Sequence, residues 1–298
     1  MLWTKEVSVM AEREAAVRKI QQYIAGHIGE ENVFDNAAKS VAYAPAYARK
    51  LFIAVLGLSP AHYIRRLRLS RSALILRDGR GSVLDAALDM GYNSPEGYQR
   101  AFRAEFGCNP GEYARAPVPL WLFTPWLAES KGGKKQMSET RTVFVQLIRK
   151  EERKVILKRG VRAKEYFSYC EEVGCDVWGL LTSMRSLCGE PVCLFLPEKL
   201  RCPAENEYVQ GVEAEIGYDG PVPEGFDVIT LPEAEYLMFR GEPFRDEDYE
   251  QAIQEIRNAE KKYDPAFIGY EWDTENPRIQ LEPRGERGYI ELMPVRKK

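Results

Sequence analysis

Histidine is scarce: His27 and His62 are the only two in 298 residues. That leaves little for a catalytic dyad, a triad or a His-rich metal site. There is no apolar run of the roughly 18 residues needed to span a bilayer. The opening Met1-Leu2-Trp3-Thr4-Lys5-Glu6 starts no signal peptide. No two of the six cysteines are separated by two residues, so close-spaced zinc patterns are missing. Six cysteines in a chain this long make no secreted disulfide framework, and buried reduced thiols in a cytoplasmic protein are expected. No metal, cofactor or membrane partner is expected, and no catalytic residue is assigned. A strong charge of one sign is also lacking, with a net of -3.

That small net hides opposed regions. Residues 45–115 carry 11 basic and 6 acidic residues, and residues 131–164 carry 12 basic and 3 acidic. Residues 165–298 carry 14 basic and 29 acidic residues. Basic regions suit polyanions, and an acidic domain suits a cationic ligand or a solvated surface. The length suggests two domains. The pattern breaks at the Pro-rich stretch 116–121 and the flexible Lys131-Gly132-Gly133-Lys134-Lys135. We therefore expect a first domain over 8–117, a linker over 118–141 and a second domain over 142–298.

The first domain reads as helical and contains a repeat at an offset of 50: Gly57-Leu58-Ser59-Pro60 matches Gly107-Cys108-Asn109-Pro110, and Pro45, Lys50 and Phe52 match Pro95, Arg100 and Phe102. Such a period fits one helix-turn-helix and its connector. In the second copy, Val83–Met90 reads as a short helix with Val83, Leu84, Ala87 and Leu88 on one face. Gly91 ends it, and Asn93 or Ser94 caps a helix over Pro95–Phe106. Tyr98, Phe102 and Phe106 form its apolar stripe, leaving Gln99, Arg100 and Arg103 to face elsewhere. Arg and Gln make bidentate contacts to guanine and adenine edges in the major groove. The first copy pairs Phe34–Val41 with Pro45–Leu56, where Arg49 and Lys50 remain for DNA. Between them Pro60–Asp78 reads as one long helix, with Arg65, Arg66, Arg68 and Arg71 on a side that could meet phosphates.

These residues, above all Ala86-Ala87-Leu88-Asp89-Met90-Gly91-Tyr92, Arg100-Ala101-Phe102-Arg103 and Phe106-Gly107-Cys108-Asn109-Pro110, resemble the DNA-binding domain of the AraC/XylS family of transcription regulators. The resemblance covers roughly residues 11–117. It implies seven helices and two helix-turn-helix units entering successive major-groove segments. Carried over, the first recognition helix presents Ala46, Arg49 and Lys50, and the second presents Glu96, Gly97, Gln99 and Arg100. The family usually has a larger side chain where Ala46 stands, so the first unit is expected to bind mainly backbone.

Downstream, strand-like runs over Val143–Ile148, Lys154–Leu157, Val192–Leu196, Tyr208–Ile216, Phe226–Thr230, Tyr236–Arg240, Ile268–Asp273 and Tyr289–Val295 alternate with helical stretches. One stretch continues from Ala163–Glu172 through Val177–Leu187, and the other covers Arg245–Lys262. The whole chain is thus expected to be multidomain, an all-α tandem helix-turn-helix domain followed by an α+β domain with an antiparallel sheet. The element order, Tyr208-Val209-Gln210-Gly211-Val212 and the closing Tyr289-Ile290-Glu291-Leu292-Met293-Pro294-Val295 resemble a GyrI-like effector-binding domain. That resemblance implies tandem strand-helix-strand modules around an aromatic pocket, often with a buried Glu, that takes cationic or amphipathic molecules. Aromatic faces attract flat cations, and a buried carboxylate favours a neutralising cation. Trp178, Tyr270, Trp272, Tyr289 and Glu291 are the expected ligand contacts, with Glu213 and Glu271 in reserve. Alternation puts Tyr289, Glu291 and Met293 on one face.

The expected function is a DNA-binding transcription regulator, not an enzyme. Its partners are double-stranded DNA, a small-molecule effector and RNA polymerase. The alternatives are a GyrI-like hydrolase or scavenger using Glu291 and a nearby Tyr as acid and base, and a peptide-binding module with an aromatic cleft.

Overall fold

The computed structural model describes residues 2–125, 142–203 and 205–298, and the chain forms two compact units, Met1–Lys134 and Lys135–Lys298. In the first unit the described elements are helices: α1 (Leu2–Gly26), α2 (Val33–Ser40), α3 (Pro45–Leu56), α4 (Pro60–Arg77), α5 (Val83–Asp89), α6 (Pro95–Phe106) and α7 (Pro110–Arg115). The helix starts follow local chemistry. Proline occupies the first turn of α3, α4, α6 and α7, where its missing N–H costs nothing. Ser59, Ser82 and Ser94 cap α4, α5 and α6 by accepting backbone N–H bonds.

Helix α4 divides two cores. On one side Val17, Ile20 and Ile24 of α1 meet Phe34 of α2, Leu51 and Phe52 of α3, and Tyr63 and Leu67 of α4. On the other, Leu69, Ala73 and Leu76 meet Ala86, Ala87, Tyr98, Phe102 and Tyr113. Full burial of one such Leu, Ile or Phe is worth about 1.5–3 kcal/mol. The expected face of α5 holds at Ala87, which is buried, and at Val83, which packs on the same core, but Leu84 and Leu88 are 50% and 59% exposed and Ala86 is buried in their place. Residues 120–123, placed in the linker on sequence, belong to the first unit. Leu120 and Leu122 are buried in its core, and the Phe123 N–H donates to Ser70 Oγ at 2.7 Å. Residues 126–141 of the expected linker lie outside the described residues.

The second unit contains β1 (Val143–Lys150), β2 (Arg153–Arg159), α8 (Tyr166–Val173), α9 (Asp176–Ser183), β3 (Val192–Phe195), β4 (Tyr208–Glu215), β5 (Asp227–Leu231), β6 (Ala234–Gly241), α10 (Tyr249–Lys262), β7 (Tyr270–Trp272), β8 (Arg278–Gln280) and β9 (Ile290–Lys297). The strands form one sheet in the order β1-β6-β9-β8-β3-β4-β2-β5, with β7 on β9, and every described pairing is antiparallel. One sheet face, with Leu157, Leu194, Val209, Ile279 and Leu292, closes on itself, because Ile148 of β1 and Ile229 of β5 reach the same cluster. The other face takes α8 and α9 at one side, through Tyr169, Trp178 and Leu181, and α10 at the other, through Ala252 and Ile256.

Two expectations are refined. The continuous helix over 163–187 is broken at Gly174, whose φ of 105 and ψ of 143 end α8. A ninth strand, β8, is present where none was expected. The six cysteines are free thiols, but of them Cys193 alone is buried, and Cys175, Cys188 and Cys202 are exposed.

Candidate nucleic-acid interface and buried carboxylate site

Helix α6 separates its two faces cleanly. Tyr98 and Phe102 are fully buried against α4 and α7, while Glu96, Gln99, Arg100 and Arg103 are exposed. The spacing i, i+3, i+4, i+7 puts those four on a single face. Ser94 Oγ fixes the start of the helix by accepting the Gly97 N–H at 3.1 Å, and Gly107 ends it in the left-handed region at φ 75. The same four positions on α3, at the offset of 50, hold Ala46, Arg49, Lys50 and Ile53, all exposed. Arg49 is already engaged from the side, 3.6 Å from Asp35 and over the Phe34 ring at 5.7 Å. Ala48, two positions from Ala46, is core. Sequence reasoning passed over Tyr47, which is 47% exposed and edge-stacked on Tyr43. Its signal was an aromatic next to Ala46 that the apolar stripe of α3 does not use.

The arginines of α4 need correction. Three of the four proposed as phosphate contacts are spent inside the domain. Arg66 pairs with Glu105 at 2.7 Å and lies 4.6 Å from the Phe123 ring centroid. Arg68 donates to the Ile28 and Glu30 carbonyls, both at 2.9 Å. Arg71 donates to the Ala25 carbonyl, and burial lowers the pKa of both Arg68 and Arg71. Arg65 remains exposed, beside Ala61 and His62.

In the second unit, cross-strand register aligns Gln210, Cys193, Gln280, Glu291 and Phe239 across β4, β3, β8, β9 and β6. Directly opposed residues share a face, so this row runs between the α8–α9 side and the α10 side. Glu291 is fully buried. Its Oε1 accepts from Tyr289 Oη at 2.6 Å and Gln280 Nε2 at 2.8 Å, and its Oε2 accepts from Arg278 Nε at 2.8 Å. A second Arg278 nitrogen lies 2.7 Å from Oε2, and Arg257 Nε stands 3.8 Å from Oε1. Those partners fill the four or so lone-pair positions of a carboxylate. Burial works against the Arg278 charge, but Glu291 and Glu260 outweigh it and its pKa rises. Burial, with the charge of Glu291 second, pushes the Glu260 carboxyl up to about 8. The Tyr289 hydroxyl is raised well above its usual range by burial and then by Glu291.

The expected ligand contacts fall into two groups. Tyr270, Trp272 and Tyr289 gather in one cluster with α10, and Tyr289 touches Glu291. Trp178 sits in the other cluster, with Tyr169 and Tyr208. The reserves lie elsewhere: Glu213 is buried against Arg153 and Lys150, both at 2.6 Å, and Glu271 pairs with Arg296 at 2.7 Å on the surface. Sequence reasoning missed Arg278, Gln280, Arg257 and Glu260. The first two stand on the three-residue β8, too short for alternation to reveal. The others are at i, i+3 on α10, a spacing that by itself marks only a shared helix face. Among the described residues no helix is long and apolar enough to cross a membrane, and no group of three or more His, Cys, Asp or Glu is arranged to hold a metal ion.

A family model described as a helix-turn-helix domain matches residues 37–116. The Right origin-binding protein of Escherichia coli is 33% identical over 101 residues, which cover 34% of this chain and 35% of that relative. This chain thus spans about a third of the length of that relative. The regulatory protein SoxS of Salmonella typhimurium is 32% identical over 97 residues, covering 33% of this chain and 91% of SoxS. Among solved structures, the C-terminal domain of AraT, a response regulator from Geobacillus stearothermophilus, is similar at 25% identity over 34% of this chain and 84% of that one, with a TM-score of 0.32. With both helix-turn-helix units in place and nearly the whole of SoxS matched, the chain belongs to the AraC family of helix-turn-helix DNA-binding proteins.

Proposed function

We propose that the chain is a transcription regulator that binds double-stranded DNA through both helix-turn-helix units and answers to a small amphipathic molecule held by a GyrI-like second unit. The observation that carries the DNA half is the exposed set Glu96, Gln99, Arg100 and Arg103 opposite buried Tyr98 and Phe102. Gln99 and Arg100 are the residues suited to base edges, and Arg49 and Lys50 are suited to phosphates. Electrophoretic shift on DNA selected by the full chain tests this. A specific complex at low salt that weakens in Arg100→Ala supports it, and no specific complex with any selected DNA overturns it.

The effector half rests on the aromatic clusters that flank Glu291. Glu291 is not a bare carboxylate waiting for a cation, because Arg278 already faces it. A permanent cation would have to displace that guanidinium, whereas a neutral amphiphile would not. Thermal-shift titration with a quaternary ammonium amphiphile and its uncharged isostere separates the two. We expect Arg278→Gln to shift preference toward the cation, and Glu291→Gln to abolish that shift. Stabilisation by neither compound class would remove the effector half. The bound molecule would then bias DNA affinity or contact with RNA polymerase. The chain is a binder rather than a hydrolase in this account, since a proton-transferring Glu291 would have to give up the donors that surround it.

A further inference from the structure

The loop between α1 and α2 and the turn between α5 and α6 belong to different helix-turn-helix units, yet they touch. A side chain at Gly29 would collide with the Asp89 carbonyl oxygen. A Cβ at Gly91, which also holds a φ of +70, would lie 2.7 Å from the Gly29 carbonyl oxygen and 3.1 Å from Arg68 Nη2. Met90 of the second turn is buried in the core of the first unit, and Tyr92 packs against both cores. Arg68 lies in this seam. It springs from α4, reaches the Ile28 and Glu30 carbonyls of the first unit's loop, and lies against Gly91 of the second unit's turn.

A single connecting helix fixes the distance between two units at its ends, but leaves each free to rock about that helix. A second tie, off the axis of α4, removes that freedom. We propose that Arg68 is a positioning residue that locks the two recognition helices at one spacing, and so sets the separation of the DNA segments bound together. This rests on the reading that both units bind DNA. A guanidinium suits the role because its planar fork satisfies two carbonyls of one loop at once, while its flat face allows the close approach of Gly91. Burial in the seam also lowers the Arg68 pKa.

When two linked units bind as one body, the second contact is intramolecular, and its gain depends on the geometry of the link. The test uses the full-length chain and DNA carrying both selected half-sites, with the intervening length varied by one to three base pairs, beside DNA carrying either half-site alone. Wild type should show one preferred spacing. Arg68→Ala should keep its affinity for each single half-site within about twofold, lose about tenfold or more on the preferred double site, and respond less than about threefold to spacing. Arg68→Lys, with one donor group in place of a fork, should fall between. If Arg68→Ala does not fold by circular dichroism, Gly29→Ala pries open the same seam with Arg68 intact and should lose the same spacing preference. Folded variants that retain the wild-type spacing preference and double-site affinity would overturn the proposal. A wild-type chain that binds no half-site at all would instead sink the DNA-binding reading on which it rests.

Discussion

In the second helix-turn-helix unit both helix starts are capped by a side chain, and in the first neither is. Ser82 and Asp85 form a reciprocal capping box on α5, and Ser94 caps α6. In the first unit Asn32 makes no side-chain cap, and Ala44 has no side chain able to make one. The turns differ in the same sense. The second uses Gly91 at φ 70, while the first forces Ala42 to φ 57, where a Cβ is strained. The exposed positions follow suit: Glu96, Gln99, Arg100 and Arg103 on α6 against Ala46, Arg49, Lys50 and Ile53 on α3. The first unit compensates through tertiary packing, because α1 supplies Val17, Ile20 and Ile24 to cover it. One repeat therefore holds its second helix by local chemistry and presents Gln99 and Arg100, residue types suited to base edges. The other is held by a neighbour and presents mainly charge.

The largest expected effect separates the two faces. Gln99→Ala with Arg100→Ala should cost roughly 2–6 kcal/mol on a selected DNA site and relax its base preferences. Arg49→Ala with Lys50→Ala should weaken binding to all sequences and lower the salt slope by about two, leaving base preferences in place. Fluorescence-anisotropy titrations at several salt concentrations distinguish these outcomes, and a changed base preference in the first-unit pair would break the comparison.

Backbone strain gives the next effect. Gly91→Ala meets both a positive φ and the Gly29 carbonyl oxygen, so it should destabilise the full chain by about 2–3 kcal/mol in urea unfolding. Ala42→Gly should do the reverse, stabilising by about 1 kcal/mol. Equal and small effects at the two turns would show that the turns are alike after all.

The caps come last. Ser94→Ala should cost about 1 kcal/mol. Ala44→Ser, at a backbone already extended at φ -64 and ψ 135, should gain about 0.5 kcal/mol or slightly more. Thermal unfolding of the two variants beside wild type sharpens the comparison. No gain from Ala44→Ser would mean that packing by α1 already sets the start of α3.

What the sequence made legible was local. The bounds of α3 and α6 follow from Pro45 and Pro95 at their starts and Gly57 and Gly107 at their ends. The exposed face of α6 follows from the four-residue spacing of buried Tyr98 and Phe102. What stayed hidden depends on contacts far apart in the chain. Nothing near Arg68 announces that its partners are the Ile28 and Glu30 carbonyls, so it read as a phosphate contact. Leu84 and Leu88 fit a helical face as well as Ala86 and Ala87 do, and only the closeness of α4 selects the small pair. Glu291 and Tyr289 were legible from alternation along Tyr289–Val295, but Arg278, which changes the chemistry of that carboxylate, lies on a three-residue strand. Gly174 was read as part of a helix because its neighbours Val173 and Val177 continue the apolar period.

The central claim is that the second helix-turn-helix reads bases while the first mainly grips backbone. Selection of bound sequences from random DNA tests it most directly, run in parallel with the wild-type chain and with the Gln99→Ala, Arg100→Ala variant. The account predicts enriched DNA with two contacted segments about 10 base pairs apart, one with sharp base preferences that flatten in the variant and one with weak preferences that do not change. Sharp preferences untouched by the variant, or no enrichment with wild type, would contradict it.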